Sequence, residues 1–434
     1  MKTDVVILGG GIAGLSLASF IDRQTIILES KNEVGGLSRS YALNGIAYDI
    51  GPHIIFSKNK QVLDLHTTMI ETNRIRRSNR VLYKGRLVKY PFENDLAALD
   101  SETRDYCLKE FLSNPYEHYK PANMLQFFLS TFGEGITRLY LQPYNEKIWK
   151  FDPSFMDTQM VDRIPKPPAE DVIKSANGIA TEGYTHQLYF HYPKSGGFQT
   201  LVNAYRDRAL SKGHHIHTGV QIQRLQRTDT GWVVHTKQGA IEATQIVNCM
   251  PLPELFKLLD SSEEAKRHLN DLKYNSIYII IVQVKKDNIG DHLGIYIPDK
   301  NTIFHRLCRL NFLGDNYKLP NNQSTLMAEV TFRPGSYLAS LPQRQIVDQV
   351  LQGLVAQKFI ERDDVIDTTI RFEPYAYVIY DLDHRRNADF VLDYLRNQGI
   401  HSAGRFAQFE YLNTDGVVEQ TLKLAQQINP GGPS

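Results

Sequence analysis

The stretch that decides the fold is Asp4-Val5-Val6-Ile7-Leu8-Gly9-Gly10-Gly11-Ile12-Ala13-Gly14-Leu15-Ser16-Leu17-Ala18-Ser19-Phe20. Its first five residues read as a short buried β-strand, rich in β-branched side chains. Leu15 to Phe20 carries a helical pattern. Thr25-Ile26-Ile27-Leu28 predicts a second strand, which runs into Glu29, twenty residues after Gly9. Gly9, Gly11 and Gly14 thus form GxGxxG in the strand–turn–helix–strand setting of a dinucleotide site. The glycines let backbone approach a pyrophosphate, Ile12 and Ala13 open a helix whose N–H groups face it, and Glu29 can accept from a ribose hydroxyl.

Beyond Glu29 comes Ser30-Lys31-Asn32-Glu33-Val34-Gly35-Gly36-Leu37-Ser38-Arg39. This segment resembles the second glycine motif of the large flavoprotein superfamily that includes the amine oxidases and protoporphyrinogen oxidase. The resemblance implies FAD, with Gly36, Leu37, Ser38 and Arg39 beside its diphosphate. Two more glycines and a cation on the same sheet edge suit a long, tightly held dinucleotide. The fold class expected is α/β: a Rossmann-like FAD-binding domain with inserted helical and mixed β-sheet substrate domains.

Composition narrows the partners. With 49 Lys+Arg against 48 Asp+Glu, the 434 residues carry a formal charge of +1. Such a balance leaves no global footprint for nucleic acid or an acidic membrane surface. Apolar residues make up 42% and charged residues 22%, which argues for an ordinary globular chain and against disorder. Cys107, Cys249 and Cys308 form no CxxC pair, so no metal site is expected and a reducing compartment suffices. Met1-Lys2-Thr3-Asp4 leads straight into an apolar strand, with no signal-peptide pattern. The longest apolar run, Ile277 to Val284, is far short of the ~20 residues that span a bilayer. The expectation is a soluble, cytoplasmic protein, with its oligomeric state open.

Along the chain, residues 61 to 75 and 95 to 150 predict helices. Leu188 to Tyr192, His215 to Val247 (turning at Gly239), Ser276 to Val284 and Gly294 to Thr331 predict strands. Gln343 to Gln357 and Gly416 to Ile428 predict helices again, the latter capped by Asp415, and Asn429 to Ser434 reads as a frayed end. The domain plan expected is an FAD-binding domain from residues 1–90, 191–250 and 376–434. A mainly helical substrate-domain insertion would take 91–190, and a β-sheet substrate domain 251–375.

Five further segments lie in order along the chain. They are Asp49-Ile50-Gly51-Pro52-His53-Ile54-Ile55-Phe56-Ser57; Tyr90-Pro91-Phe92-Glu93-Asn94; Gln142-Pro143-Tyr144-Asn145-Glu146-Lys147-Ile148-Trp149; Gly404-Arg405-Phe406; and Tyr411. Together they are similar to the UDP-galactopyranose mutases, closer to the eukaryotic-type branch than to the bacterial one. The resemblance implies a redox-neutral enzyme that works with reduced FAD and interconverts pyranose and furanose forms of a nucleotide-diphosphate hexose, UDP-galactose by default. In that family flavin N5 attacks the anomeric carbon, the nucleotide leaves, and the ring opens and recloses. Galactofuranose and polysaccharide biosynthesis are the setting it implies, with NAD(P)H one candidate reductant.

The same resemblance assigns roles. Arg163 and Arg306 fall where the family places its diphosphate arginines, a task suited to a planar fork that never deprotonates. His53 lies on the loop that faces the isoalloxazine, and Arg405 near the reduced flavin. Tyr296, Tyr377 and Tyr411 fall at ligand-binding positions, with Tyr90, Phe92, Asn145, Trp149 and Asn413 alongside; FAD contacts extend to Val220 and Gly404. Glu93 departs from the pattern, standing where the eukaryotic-type branch has a glutamine that reads uracil. A carboxylate only accepts, so Glu93 suits cytosine or guanine donors better, unless it points away or pairs with a neighbouring cation. Two rivals share the fold: a redox flavoenzyme of the amine oxidase or protoporphyrinogen oxidase type, and a non-catalytic FAD-stabilised binding protein.

Overall fold

The glycine fingerprint folds as its pattern requires: β1 (Lys2–Leu8), α1 (Ile12–Phe20) and β2 (Thr25–Leu28) follow one another, with β1 and β2 parallel from Val5–Thr25 to Leu8–Leu28. On its other edge β1 pairs in parallel with Gly239–Asn248. The whole sheet runs Ile222–Thr228, Gly231–Thr236, Gly239–Asn248, β1, β2, His215–His217, with Ile400–Ser402 beside the end of Gly239–Asn248. Three distant stretches of chain therefore build one layer. The last helix, Thr414–Ile428, closes onto α1, where the Ser16 and Thr421 hydroxyls meet at 2.9 Å. This is a computed structural model, which describes residues 1–164, 167–183 and 188–429, the side chains of Asp162 and Arg163 excepted. The tail beyond Asn429, expected to fray, lies outside the described residues.

A second, mixed sheet runs Val365–Ile379, Lys273–Val284, Ser324–Phe332, Arg306–Arg309, Gly294–Tyr296, Asn79–Tyr83, Arg86–Lys89. Its two long central strands are apolar on both faces because a helix, Gln343–Ala356, covers one side and the candidate site's elements cover the other. The hairpin of residues 79 to 89, inside the 1–90 range expected for FAD binding, belongs to this sheet, joined in parallel to Gly294–Tyr296.

The helix expected over 61–75 stops at Met69, and Thr72–Arg76 is a strand paired with Tyr189–Pro193. The reason lies in the local period: Arg74-Ile75-Arg76 alternates by two, which suits a half-covered strand rather than a helix face. The expected helical span 95–150 divides into Ser101–Leu112 and a stretch from Met124 to Trp149 that is broken at Gly133, where φ is +72°. These cross where a Cβ on Gly133 would stand 2.3 Å from the Glu110 carbonyl oxygen and one on Gly135 2.8 Å from Cys107 Cα. The final helix takes Asn413, not Asp415, at its N-cap position, so Asp415 sits in the first turn, where its charge still favours the helix dipole. The three cysteines are free, and no helix among the described residues is long and apolar enough to cross a membrane.

Candidate active site

The two glycine segments are built against each other. Gly35 donates its N–H to the Gly10 carbonyl at 2.8 Å, and a Cβ on Gly36 would approach Gly11 Cα to 3.2 Å. A side-chain-free edge results. Next to it opens α1, whose cap residue Gly11 offers no side-chain cap and whose first turn holds no acid, so its N–H groups are left to an anion. Buried Glu29 holds the turn, accepting from Gly10 N–H at 2.9 Å and Lys31 N–H at 2.8 Å. Val220 donates its N–H to the Glu29 carbonyl at 2.9 Å. Arg39 is fixed at the rim by the Glu33 and Val34 carbonyls. These features fit a dinucleotide diphosphate. Gly14 serves differently: it does not line the cleft but packs α1 against the turn, where a Cβ would lie 2.1 Å from the Gly9 oxygen.

From this edge a cleft of about 1980 Å³ extends between the two sheets and the helical insertion. That is about twice the upper end of the ~300–1,000 Å³ of single-ligand sites, room for a dinucleotide and a second ligand of nucleotide size. Gly9, Gly11, Ile12, Ala13, Glu29, Gly36 to Arg39, Val220 and Gly404 line one part. His53, Tyr90, Glu93, Asn145, Trp149, Tyr296, Arg306, Tyr377, Arg405, Tyr411 and Asn413 line the rest.

His53 joins the two parts. Its Nε2 lies 2.8 Å from the carbonyl of Leu37, in the second glycine segment. A carbonyl only accepts, so Nε2 carries the proton and Nδ1 is the bare nitrogen. Burial, with Arg405 and Arg306 adding to it, pushes the His53 pKa down to about 3. The imidazole is therefore neutral throughout pH 5 to 9, and ring NMR of His53 should show no transition above pH 5.

Arg306 stands at the centre of the polar wall. It pairs across neighbouring strands with Glu329, which is fully buried: Nε and Nη2 take the two carboxylate oxygens, the second at 2.6 Å. Nη2 also reaches the Tyr377 hydroxyl at 3.4 Å, whereas Nη1 makes no hydrogen bond among the described residues. The carboxylate thus fixes the guanidinium plane and leaves one edge of N–H donors to the cleft. Tyr144, edge-on to Tyr296 at 5.4 Å, feels both Arg306 and Glu329. Tyr296 in turn meets Tyr90 at 4.8 Å. Burial raises the hydroxyl pKa values of Tyr90, Tyr144 and Tyr377, so these phenols stay neutral donors.

Beyond Tyr377 the wall becomes aromatic. Tyr411 stacks on Tyr377 at 5.8 Å and 24°, and Trp149 stands edge-on to both. Trp149 Nε1–H donates to Asn145 Oδ1 at 2.8 Å, which fixes the indole. The Arg405 guanidinium lies 4.9 Å from the Tyr411 ring centroid and donates to the Leu412 and Ala376 carbonyls. It braces the loop while facing the cleft. Phe92 does not reach the cleft: fully buried, it stacks on Tyr140 at 5.1 Å and supports the wall from behind. Glu93, 2% exposed, acts on the Tyr90 hydroxyl together with Arg77. Arg163 ends a 3-10 turn, Thr158–Arg163, and its side chain lies outside the described residues.

Sequence reading missed Glu329, Tyr140, Tyr144 and Arg77. A signal existed for Glu329: it is the lone carboxylate in Leu326-Met327-Ala328-Glu329-Val330, and a charge in a buried strand requires a partner. For Tyr140 and Tyr144, spaced four apart, the helix face was visible, but the π-turn at Thr137–Leu141 that aims it was not.

The sequence pattern of the flavin containing amine oxidoreductases matches residues 12–429. The chain belongs to that family. Among these flavin-containing proteins and their relatives, it is 23% identical over 206 residues to the UDP-galactopyranose mutase of Mycoplasma pneumoniae (strain ATCC 29342 / M129 / Subtype 1), a match covering 42% of this chain. The chain spans about half, 51%, of the length of that curated relative. In three dimensions it is similar to reduced UDP-galactopyranose mutase, with a TM-score of 0.90 and 22% identity over 99% of this chain and 94% of the other. It is also similar to cyclohexylamine oxidase from Brevibacterium oxydans IH-35A, with a TM-score of 0.67 and 14% identity over 99% of each. At these identities the likeness establishes a shared amine oxidoreductase fold.

Buried neutral histidines are expected to make this family member acid-sensitive. Burial lowers His66 to about 4, His53 to about 3, and His305 far below its usual range. The unfolded chain binds these protons below about 6.5 and the folded one does not, so stability falls as pH drops, by about 1.4 kcal/mol per unit for each. Asp49, which burial pushes up to about 6, and Glu373, which burial also raises, work in the opposite direction, while burial lowers His191, His214, His292, His384 and His401 in the same sense as the first three. Thermal melts should show Tm decreasing steadily from pH 7 to pH 5.

Proposed function

We propose that this chain is an FAD-dependent mutase that interconverts the pyranose and furanose forms of a nucleotide-diphosphate hexose, UDP-galactose above others, when the flavin is reduced. The observation that carries the reading is Arg306: a guanidinium held by a buried carboxylate, one edge open, amid neutral tyrosine hydroxyls. An apolar amine would gain nothing from that edge, whereas a departing diphosphate requires it.

Residues 1–90, 191–250 and 376–434, less the hairpin of 79 to 89, are proposed to hold FAD, with the glycine edge and the α1 N-terminus at its diphosphate. Reduced FAD, when bound, supplies an electron-rich nucleophile for the anomeric carbon. The protein does the rest. Arg306, with Arg163 as the proposed second cation, takes the charge that develops on the diphosphate oxygens. Tyr377 and Tyr411 donate O–H to the same group. His53 presents its bare Nδ1 as an acceptor beside the flavin site. Tyr90, Tyr296 and Glu93 line the part assigned to the nucleotide, the Trp149–Asn145 pair excludes water around the sugar, and Asn413 lies at the rim. NAD(P)H is the proposed reductant.

The test is chromatography of dithionite-reduced enzyme with a panel of nucleotide-diphosphate sugars, followed for pyranose–furanose interconversion. Turnover of UDP-galactose by reduced enzyme and none by oxidised enzyme is expected. Oxygen-consuming turnover of an amine without any nucleotide sugar would establish the amine oxidase reading, which the family membership favours, and overturn this one. Titration with UDP, CDP, GDP and dTDP places Glu93: tightest binding of UDP means it is turned to a neighbouring cation, tightest binding of CDP or GDP that it reads a base amine.

A further inference from the structure

The loop from Gly404 to Asn413, which carries Arg405, Tyr411 and Asn413 to the cleft, is held from behind by a second polar network. Tyr380 follows the strand Val365–Ile379, three residues after Tyr377, and is buried outside the cleft lining. Its hydroxyl donates to Glu410 Oε2 at 2.5 Å and accepts the N–H of Tyr411 at 2.7 Å. The other oxygen of Glu410 takes Arg385, which also pairs with Asp389 at 3.0 Å. His384, whose ring lies 4.3 Å from that of Tyr380, contacts the Phe409 carbonyl through Nε2 at 2.8 Å. Phe409 itself has φ +53°, a left-handed conformation that a non-glycine residue keeps only where its surroundings enforce it.

We infer that Tyr380 is a positioning residue for the ligand-binding wall: its hydroxyl couples the Tyr411 amide to the Glu410 carboxylate and so holds the Tyr411 ring on Tyr377. The direction of the bonds matters. An O–H given to a carboxylate is polarised, which strengthens its acceptance of the Tyr411 N–H, and the carboxylate is anchored by Arg385. Loss of the hydroxyl would cut the tie between the Tyr411 amide and the Glu410 carboxylate. The left-handed turn at Phe409 would then relax, and the ring of Tyr411 would leave its place between Tyr377 and Arg405. The inference rests on the proposal that Tyr411 touches the ligand.

Tyr380→Phe tests it, because it keeps the ring packed on His384 and removes only the oxygen. With holoenzyme and UDP as probe, Kd and KM are expected to rise about tenfold, as for one charge-assisted hydrogen bond, while kcat stays within about twofold and FAD stoichiometry is unchanged. Trp149, one of two tryptophans, reports the same ring. In a Trp232→Phe background its emission should shift in Tyr380→Phe as it does in Tyr411→Ala. A fall in Tm with unchanged Kd for UDP would overturn the inference, since that is what a merely structural hydroxyl produces. Should Tyr380→Phe fail to fold, Glu410→Gln, which keeps an acceptor but weakens it, is expected to raise Kd about threefold, and an unchanged Kd there overturns it equally. Tyr411→Ala separates the two levels. If it leaves UDP binding untouched, the ligand assignment of Tyr411 fails; if it weakens UDP and Tyr380→Phe does not, only the positioning role fails.

Discussion

Arg306→Ala is expected to lower kcat/KM of the reduced enzyme by about 10³-fold, the size of truncating one partner of a buried hydrogen-bonded charge pair. The substitution acts twice. It removes the open Nη1 edge on the cleft wall, and it leaves Glu329, fully buried, with no guanidinium to balance it. The second effect should cost about 3–5 kcal/mol of stability. Arg306→Lys separates the two: an ammonium keeps a charge near Glu329 but cannot bond both its oxygens and the ligand in one plane. Its melting temperature should therefore recover most of the loss while kcat/KM stays about 10–100-fold down. Steady-state kinetics, UDP titration and thermal melts of the two variants decide this. If Arg306→Ala turns over within tenfold of the parent, the arginine does not hold the diphosphate.

The second large effect is expected at Gly14. A Cβ there would stand 2.1 Å from the Gly9 carbonyl oxygen and 3.1 Å from the Ile7 side chain. All of these atoms belong to the strand and turn that form the glycine edge, so α1 would have to move away bodily. Gly14→Ala should cost more than about 4 kcal/mol, beyond the range of ordinary single substitutions, and abolish flavin retention. The ratio of absorbance near 450 nm to that at 280 nm in purified protein reads it directly. Gly45→Ala is the control, because φ there is +82° and a Cβ would meet nothing within 4 Å. That change should cost about 1 kcal/mol of backbone strain and leave the flavin bound. Equal flavin loss in both would mean that the close approach at position 14 does not decide flavin binding.

The two variants fall on opposite sides of what sequence reveals. Gly14 was legible because close approach of helix and strand is a local matter: the glycine, its strand and its helix lie within twenty residues, and spacing encodes the contact. Glu29 was legible for the same reason, and the Gly35–Gly36 pair through its resemblance to a flavoprotein motif. Arg306, His53 and Tyr411, which line the cleft, were expected there through resemblance. Phe92 shows the limit of that route: its segment reaches the cleft, yet its own side chain turns into the core beneath Tyr140. The hairpin of residues 79 to 89 fell on the wrong side of the expected division because strand partners are chosen across the chain. Nothing near Asn79 announces that Gly294 will lie beside it.

By itself, then, the sequence determined the glycine-lined edge and the α/β class, which follow from local spacing, backbone sterics and the period of apolar residues; the side chains expected in the rest of the cleft came from resemblance. Only the tertiary structure decided how those side chains act. It set Glu329 across from Arg306, so that the cation is a fixed fork with one free edge rather than a mobile charge. It buried His53, with Arg405 and Arg306 nearby, so that the imidazole stays neutral, and put Tyr380 behind Tyr411. Each of these depends on residues tens to hundreds of positions apart, whose pairing is set by sheet register and by the burial of charge, and neither quantity is written in any one stretch of chain.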